Sequence, residues 1–362
     1  MTKRASLPLP CNETRGGFGM KAIVKTSQEA GVFEVKEVPT PKPGPGEVLV
    51  QVKAASLCYT DVSILNNKYK GRRPVLIPII MGHEGTGVVS VLGEGVDNVS
   101  VGDRVGLEVL YGCGSCINCL NGNSNMCTNW RHIGITYDGI FAEYVVVPGR
   151  AAHKLPDNVS FVDAACLEPI SLTVRTMEQV KPMVGDTVAI FGPGAIGLFH
   201  LQAFKAAGAG QVMMIGIDQD AKRFEVAKGL GADHIINSGR EDVVKRVREL
   251  TDGLGADIVV ETASSPTVVP LALDVAAAKG RVSFFGLYPE ATVSPLTITR
   301  SGLHIFGDVG SLPRYFLRAI RWMKYGKVRA KPLASRLFRL EEAKEAFEAS
   351  RLGEVAKVIF EL

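Results

Sequence analysis

Two successive sequence patterns predict an α/β protein of two domains, an irregular, partly closed antiparallel β-barrel followed by a doubly wound parallel sheet. As far as about residue 150 the chain is a series of short β-branched runs separated by Gly and Pro, which reads as antiparallel strands. Past residue 159 short apolar runs alternate with helical patterns, the rhythm of parallel strands joined by crossover helices. A length of 362 residues is long for one core and accommodates both.

Residues 1–19 hold Lys3, Arg4 and only scattered apolar side chains, so they lack the apolar core of a secretory signal and read as a disordered extension. Met20 is an alternative start, and 20–24 the first strand. Strand-like runs follow at 22–25, 32–38, 48–54 and 86–92, with a Pro/Gly-rich surface connection at 39–46 and a turn into a further strand at 101–105. In the second region strands are predicted at 187–191, 211–217, 234–236, 257–260, 281–285 and 303–306. Helices are predicted between them at 195–207, 220–230, 242–250 and 266–278. Two further helices, 313–325 and 340–350, and a strand at 357–361 complete the chain.

Composition narrows the function classes. With 46% hydrophobic and 22% charged residues the chain is a packed globular one. Its net charge of +4 comes from 41 basic against 37 acidic residues with no long basic run, which argues against a nucleic-acid partner. The uncharged stretch 187–204 is as long as a membrane span, but Gly192-Pro193-Gly194 and Gly197 interrupt it, so a strand, a turn and a helix are expected instead of a membrane segment. Of seven cysteines, four cluster in one short lobe and a fifth is Cys58, which suits metal thiolates in a reducing, cytoplasmic setting better than disulfides. Cys11 reads as a tail thiol and Cys166 as a small buried hydrophobe.

Three constellations carry chemistry. The first surrounds Gly82-His83-Glu84-Gly85-Thr86-Gly87, where a metal-binding imidazole and a carboxylate sit among glycines. Cys58 upstream and Glu168 in Leu167-Glu168-Pro169 downstream supply the remaining ligand types of a catalytic zinc. The second is Cys113-x2-Cys116-x2-Cys119-x7-Cys127, four thiolates on one loop that can close a tetrahedron around a structural zinc. An iron–sulfur run would place its fourth cysteine sooner and follow it with Pro, whereas Cys127 precedes Thr128. The third is Phe191-Gly192-Pro193-Gly194-Ala195-Ile196-Gly197, which ends a predicted strand and opens a predicted helix. Gly192 allows the turn, Gly194 the approach of a pyrophosphate, and Gly197 close helix packing, with Ile196 in the same turn. Asp218, at the end of the next strand, is placed to accept the ribose hydroxyls of NAD.

His83 with its glycines, continuing to Gly93 and Val96, Cys58-Tyr59-Thr60-Asp61 and the four-cysteine lobe together resemble the zinc-containing medium-chain alcohol dehydrogenase family over about 20–362. Glu168-Pro169-Ile170-Ser171 is similar to its polyol and threonine dehydrogenase branch. The resemblance implies a GroES-like catalytic domain at 20–170 with a structural zinc lobe at 113–127, a Rossmann coenzyme domain at 171–306 and a return to the catalytic domain at 307–362. It implies two zinc ions per subunit, NAD, a secondary alcohol or its ketone as substrate, and a homodimer or homotetramer. Cys58 and His83 are then the firm zinc ligands, while Glu84 and Glu168 compete for the third protein position. Thr60 matches the family's hydroxyl that bonds the substrate oxygen, and Arg223 its cation near the adenosine ribose. Phe285, Gly286 and Leu287, with Gly307, Asp308 and Val309, fall where relatives place backbone against nicotinamide. Ser63 departs from the pattern, because many members carry there a histidine that passes the proton to solvent, and a serine is no base near neutral pH. Two rivals stand beside this reading. One is a non-enzymatic zinc protein whose four-cysteine lobe contacts protein or nucleic acid; in its nucleic-acid form it requires basic residues within the lobe, and 113–127 has none. An NADPH reductase without catalytic zinc requires the loss of Cys58 or His83.

Overall fold

The computed structural model describes residues 18–362. The extension predicted at 1–19 lies, as far as residue 17, outside the described residues, as does Cys11, and Gly19 already opens a strand. The described chain forms two compact units. One contains the residues as far as Cys166 with Leu337–Phe347 and Ile359–Leu362; the other contains Leu167–Arg336 and Glu348–Val358.

In the first unit the strand Gly19–Lys25 pairs antiparallel with Glu34–Pro39 and Ile79–Ile80. A larger sheet runs in the order Ala152–Lys154, Arg104–Leu107, Gly85–Leu92, Glu47–Ser56, Ile359–Glu361 and Leu337–Phe338, with Tyr144–Pro148 also on Glu47–Ser56. Glu47–Ser56 is the spine: its register shifts between Leu49 and Val50 and again between Val52 and Ala54. Such irregularities bend a strand and re-aim its side chains. The C-terminal strand pairs Ile359 with Ser56 and Phe360 with Ala55, so the end of the chain buttresses the segment that leads into Cys58.

The second unit is built on six parallel strands in the order His234–Asn237, Gln211–Gly216, Thr187–Phe191, Ala256–Glu261, Ala276–Phe284 and His304–Gly307. The order reverses beside Thr187–Phe191, the point at which open α/β sheets bind ligands. The uncharged stretch at 187–204 is this first strand followed by the helix Ala195–Ala206. No helix among the described residues is long and apolar enough to cross a membrane.

Two expectations need correction. The helix read at 266–278 is confined to Val268–Asp274, and the alanines after it begin the strand Ala276–Phe284. Pairing of Ile258–Glu261 with Arg281–Phe284 overrides the helical preference of an Ala run, and Lys279, at φ 62°, breaks any helix there. The return to the first unit comes at Leu337, later than the 307 read from the resemblance. The helix Pro313–Lys324 belongs to the second unit because Tyr315, Phe316, Ala319, Ile320 and Met323 bury one face of it, packed on the helix Leu167–Val180.

His200, inside the helix Ala195–Ala206, is fully buried. Its Nδ1 donates to the Ile196 carbonyl at 2.8 Å, and Phe204 and Phe285 flank the ring. Burial pushes its pKa from 6.5 down to about 4, against the smaller opposing pull of that carbonyl. The folded state therefore binds this proton less readily than the unfolded chain. His200 leaves stability unaffected above pH 6.5, lowers it as pH falls through that value, and has removed roughly 3 kcal/mol once pH is below about 4. Urea unfolding between pH 7.5 and 4.5 should show a shallower loss of stability for His200→Gln than for the parent, and parallel pH profiles would assign the acid sensitivity elsewhere.

Candidate functional site

The metal-type site of the first unit begins at a helix end. Cys58 is the N-cap of the helix Tyr59–Leu65, and Asp61, its third residue, returns a carboxylate oxygen to the Cys58 backbone N–H at 3.0 Å. The other Asp61 oxygen accepts from His83 Nδ1 at 3.0 Å. One carboxylate thus closes the helix and orients the imidazole, and Nε2 is the nitrogen left to ligate. At the far end of the helix the buried Lys25 donates Nζ to the Leu65 carbonyl at 3.1 Å and to that of Glu29 at 3.0 Å.

Between Met81 and His83 the chain turns through Gly82 at φ 90°, where an added Cβ would lie 2.3 Å from the Phe141 ring. Only glycine meets both demands. The turn delivers His83 and Glu84 consecutively, both almost fully buried. Ser56 Oγ donates to Glu84 Oε2, with the Ala165 carbonyl at 3.1 Å as the alternative acceptor for its one proton, so the carboxylate is fixed from the sheet. The donor atoms of Cys58, His83 and Glu84 lie within 4.8 Å of one another. Burial opposes charge on His83, but Asp61 and Cys58 together hold its pKa well above the ordinary value. A site that concentrates negative donors around one imidazole is one a divalent cation fits, and a thiolate, an imidazole and a carboxylate are the ligand types of zinc.

Thr60 is half-buried on the same helix. Glu168 belongs to the second unit, in the first turn of the helix Leu167–Val180, and it is buried, not solvated. Asp61 and His132 are residues of this site that sequence reasoning passed over. The ring of His132 lies edge-on to His83 with centroids 5.4 Å apart and to Trp130 at 5.9 Å. Burial, then the neighbouring His83, brings its pKa to about 3. A carboxylate three residues after Cys58 was the available signal for Asp61; His132 had none.

The ligand atoms of Cys113, Cys116, Cys119 and Cys127 also lie within 4.8 Å of one another. Main-chain amides point at the sulfurs: Cys116 N–H donates to Cys113 at 3.3 Å, Cys113 N–H to Cys127 at 3.3 Å and Asn129 N–H to Cys127 at 3.2 Å. The Ser115 amide leads the groups that bring the Cys113 thiol down to about 5. Four sulfurs gathered with amide donors suit a tetrahedral structural metal.

The second unit carries the glycine turn. Gly192 has φ 95°, and an added Cβ on Gly197 would meet the Gly192 carbonyl at 2.0 Å. At Gly194, N-cap of the helix Ala195–Ala206, an added Cβ would meet no described atom within 4 Å, so the backbone there can be approached closely. Thr262 Oγ1 anchors the turn through the carbonyls of Phe191 at 2.8 Å and Gly192 at 2.9 Å. Glu261, fully buried, accepts from the N–H of Ser264 at 2.9 Å and of Gly286 at 3.1 Å and thereby fixes the segment Phe285, Gly286, Leu287. Burial raises the Glu261 pKa against these donors. Near the next strand end, Asp308 Oδ1 accepts from the Val309 N–H at 2.7 Å.

Asp218 follows the strand Gln211–Gly216 and opens a short 3-10 turn. Its Oδ1 accepts from Asn237 Nδ2 at 2.8 Å and Arg240 Nε at 2.6 Å. Arg223 is committed differently: Nη1 pairs with Asp220 at 3.0 Å, and Asp220 in turn accepts from the Ile217 N–H at 3.1 Å.

Comparison with known proteins agrees with this geometry. Residues 44–157 match the alcohol dehydrogenase GroES-like domain and residues 195–325 the zinc-binding dehydrogenase domain. An L-threonine 3-dehydrogenase of Pyrococcus horikoshii is 38% identical over 347 residues, covering 95% of this chain and 99% of the relative. A sorbitol dehydrogenase of Halalkalibacterium halodurans is 35% identical over 343 residues, covering 94% and 98%. Among solved structures, an alcohol dehydrogenase from E. coli CFT073 complexed with NADH superposes with TM-score 0.87 at 29% identity, covering 96% of this chain and all of that one. A zinc-binding dehydrogenase from Sinorhizobium meliloti 1021 bound to NADP gives 0.89 at 30%, covering 95% and all of that one. With its cysteine–histidine–glutamate cluster, its four-cysteine lobe and its glycine turn on a parallel sheet, the chain belongs to the zinc-binding, GroES-like alcohol dehydrogenase family of oxidoreductases.

Proposed function

We propose that this protein is a zinc- and NAD-dependent dehydrogenase of secondary alcohols of the polyol, diol or amino-alcohol kind. The observation that carries the reading is the cluster of half-buried Cys58 with buried His83 and Glu84, and Asp61 behind the imidazole. The names of the sorbitol and threonine dehydrogenase relatives favour that substrate class. Zinc held by Cys58, His83 and Glu84 would supply Lewis acidity that lowers the pKa of a bound hydroxyl towards neutrality. The protein's own part is positional. Asp61 keeps His83 in one tautomer, Ser56 holds Glu84, and Thr60 offers a hydroxyl to the substrate oxygen. Glu168 is assigned as the second carboxylate serving the metal, and the glycine turn with Asp218 as the seat of the coenzyme. A coenzyme bound there would supply the hydride acceptor, and because Ser63 is no base near neutral pH the proton's route falls to water and the coenzyme ribose, or to Glu168 or Glu84. Activity against polyols, sugars, diols and L-threonine, followed as NADH absorbance, tests the substrate class, and absence of turnover across that panel would overturn it.

The four-cysteine lobe is assigned a second, structural zinc. Metal analysis should find two zinc equivalents per chain, one for each ligand group. Cys58→Ser should lose one equivalent and nearly all activity with the fold intact, whereas Cys116→Ser should chiefly lower thermal stability. Full turnover in Cys58→Ser would remove the catalytic assignment.

Asp61 should govern metal affinity through His83. In Asp61→Asn the side-chain oxygen can still cap Cys58, but the charge that favours the Nδ1–H tautomer is gone. Competition with a chelator should show zinc bound ~10- to 100-fold more weakly, the usual effect of losing a carboxylate behind a ligating histidine. An unchanged affinity would leave Asp61 a helix cap only.

A further inference from the structure

We propose that Arg240 is a specificity-determining residue of the coenzyme site, a latent ligand for the 2′-phosphate of NADP held in check by Asp218. The proposal rests on the assignment of Asp218 to the adenosine ribose and goes beyond it to a residue outside the glycine-turn motif.

The two residues follow neighbouring parallel strands, in which Gly216 pairs with Asn237. The turn after Asn237 is firmly built. Asn237 Oδ1 accepts from the Gly239 N–H at 3.0 Å, and Ser238 gives its N–H at 2.9 Å and its hydroxyl at 3.0 Å to the Gly216 carbonyl. Arg240 leaves this turn with its N–H on the Asn237 carbonyl at 3.0 Å. Its Nε then reaches Asp218 Oδ1 at 2.6 Å, while its side chain remains 73% exposed. A solvated guanidinium is thus fixed beside the carboxylate that would receive the ribose hydroxyls.

Charge decides what this does. A lone carboxylate at the 2′ position repels a phosphate dianion, and an arginine in contact offsets that repulsion. Guanidinium is also the side chain best shaped to bind phosphate. The neighbouring cations are less suited. Arg223 is tied to Asp220, which the backbone at Ile217 also uses, and Lys222 lies exposed on the following helix with no partner among the described residues to aim it. Asp218 still provides the acceptor for the NAD ribose, so Arg240 permits NADP as a weaker coenzyme and becomes a phosphate ligand once the carboxylate is removed.

The test is a cycle of parent, Arg240→Gln, Asp218→Ser and the double variant. Each is measured for kcat/KM with NAD and NADP, and by calorimetry for binding of 5′-AMP and of adenosine 2′,5′-bisphosphate, which differ by the 2′-phosphate alone. Arg240→Gln should weaken NADP and the bisphosphate ~10-fold relative to NAD and 5′-AMP, the size of one charge-assisted contact. Asp218→Ser should gain NADP use, and the double variant should lose that gain. If Arg240→Gln lowers both coenzymes equally, or the double variant keeps the gain, Arg240 only braces the turn and the proposal is overturned. Should Asp218→Ser fold poorly, the binding ratios of Arg240→Gln decide alone. The parent's own NAD to NADP ratio reports separately on the NAD assignment: equal use with the Arg240 effect intact would end that assignment and the check by Asp218, and leave Arg240 as the phosphate ligand.

Discussion

The hydrogen bond between His83 Nδ1 and Asp61, 3.0 Å long between two buried side chains, is the interaction on which the first unit's site depends. A carboxylate with no solvent exposure is expensive to bury unless donors surround it. Asp61 has two, the His83 imidazole and the Cys58 amide, and each belongs to a residue of the metal-type cluster. The charge that must be compensated is therefore compensated by the ligand residues themselves. Moving either ligand costs the buried carboxylate one of its two donors, so both ligand residues are held in place by the same charge. The positive φ at Gly82, the bends in Glu47–Ser56 and the cap at Cys58 all serve to bring those two donors to one acid.

In the second unit the same economy operates on loops. Glu261 and Thr262 end a central strand, and between them they bond to the glycine turn, to Ser264 and to Gly286. Three loops at the C-terminal ends of the parallel strands are thus referred to one strand end. A dinucleotide lying along such an edge meets main-chain groups whose positions are already fixed, and little ordering remains to be done on binding.

Periodicity carried much of the fold. The parallel strands and the helix after the glycine turn were legible because alternation and apolar runs report local structure directly. The helix Tyr59–Leu65 escaped notice, since it is one short turn sequence whose stability comes from Asp61 and Lys25, contacts no window of residues displays. Ala276–Phe284 was misread because pairing with a strand distant in sequence outweighed alanine's helical preference. The ligand types Cys58, His83 and the four-cysteine lobe stood out through spacing and resemblance. Asp61, His132, Glu261 and Arg240 did not, because each acts through a partner that only the fold brings near.

The histidines make that point in energetic form. His83 and His200 are buried and His132 is largely covered, and burial alone lowers an imidazole's pKa. His132 and His200 follow this rule, to about 3 and about 4, and each uses Nδ1 to donate to a main-chain carbonyl. His83 departs from it because its Nδ1 meets a carboxylate and a cysteine sulfur stands beside it. His153 also faces a carboxylate, Glu108, at 3.1 Å, yet no thiol is gathered with them among the described groups. Identity as histidine and depth of burial therefore do not select the ligand. Convergence of an anionic acceptor on one nitrogen with further anionic donors near the other does, because a divalent cation relieves the repulsion that such donors exert on one another.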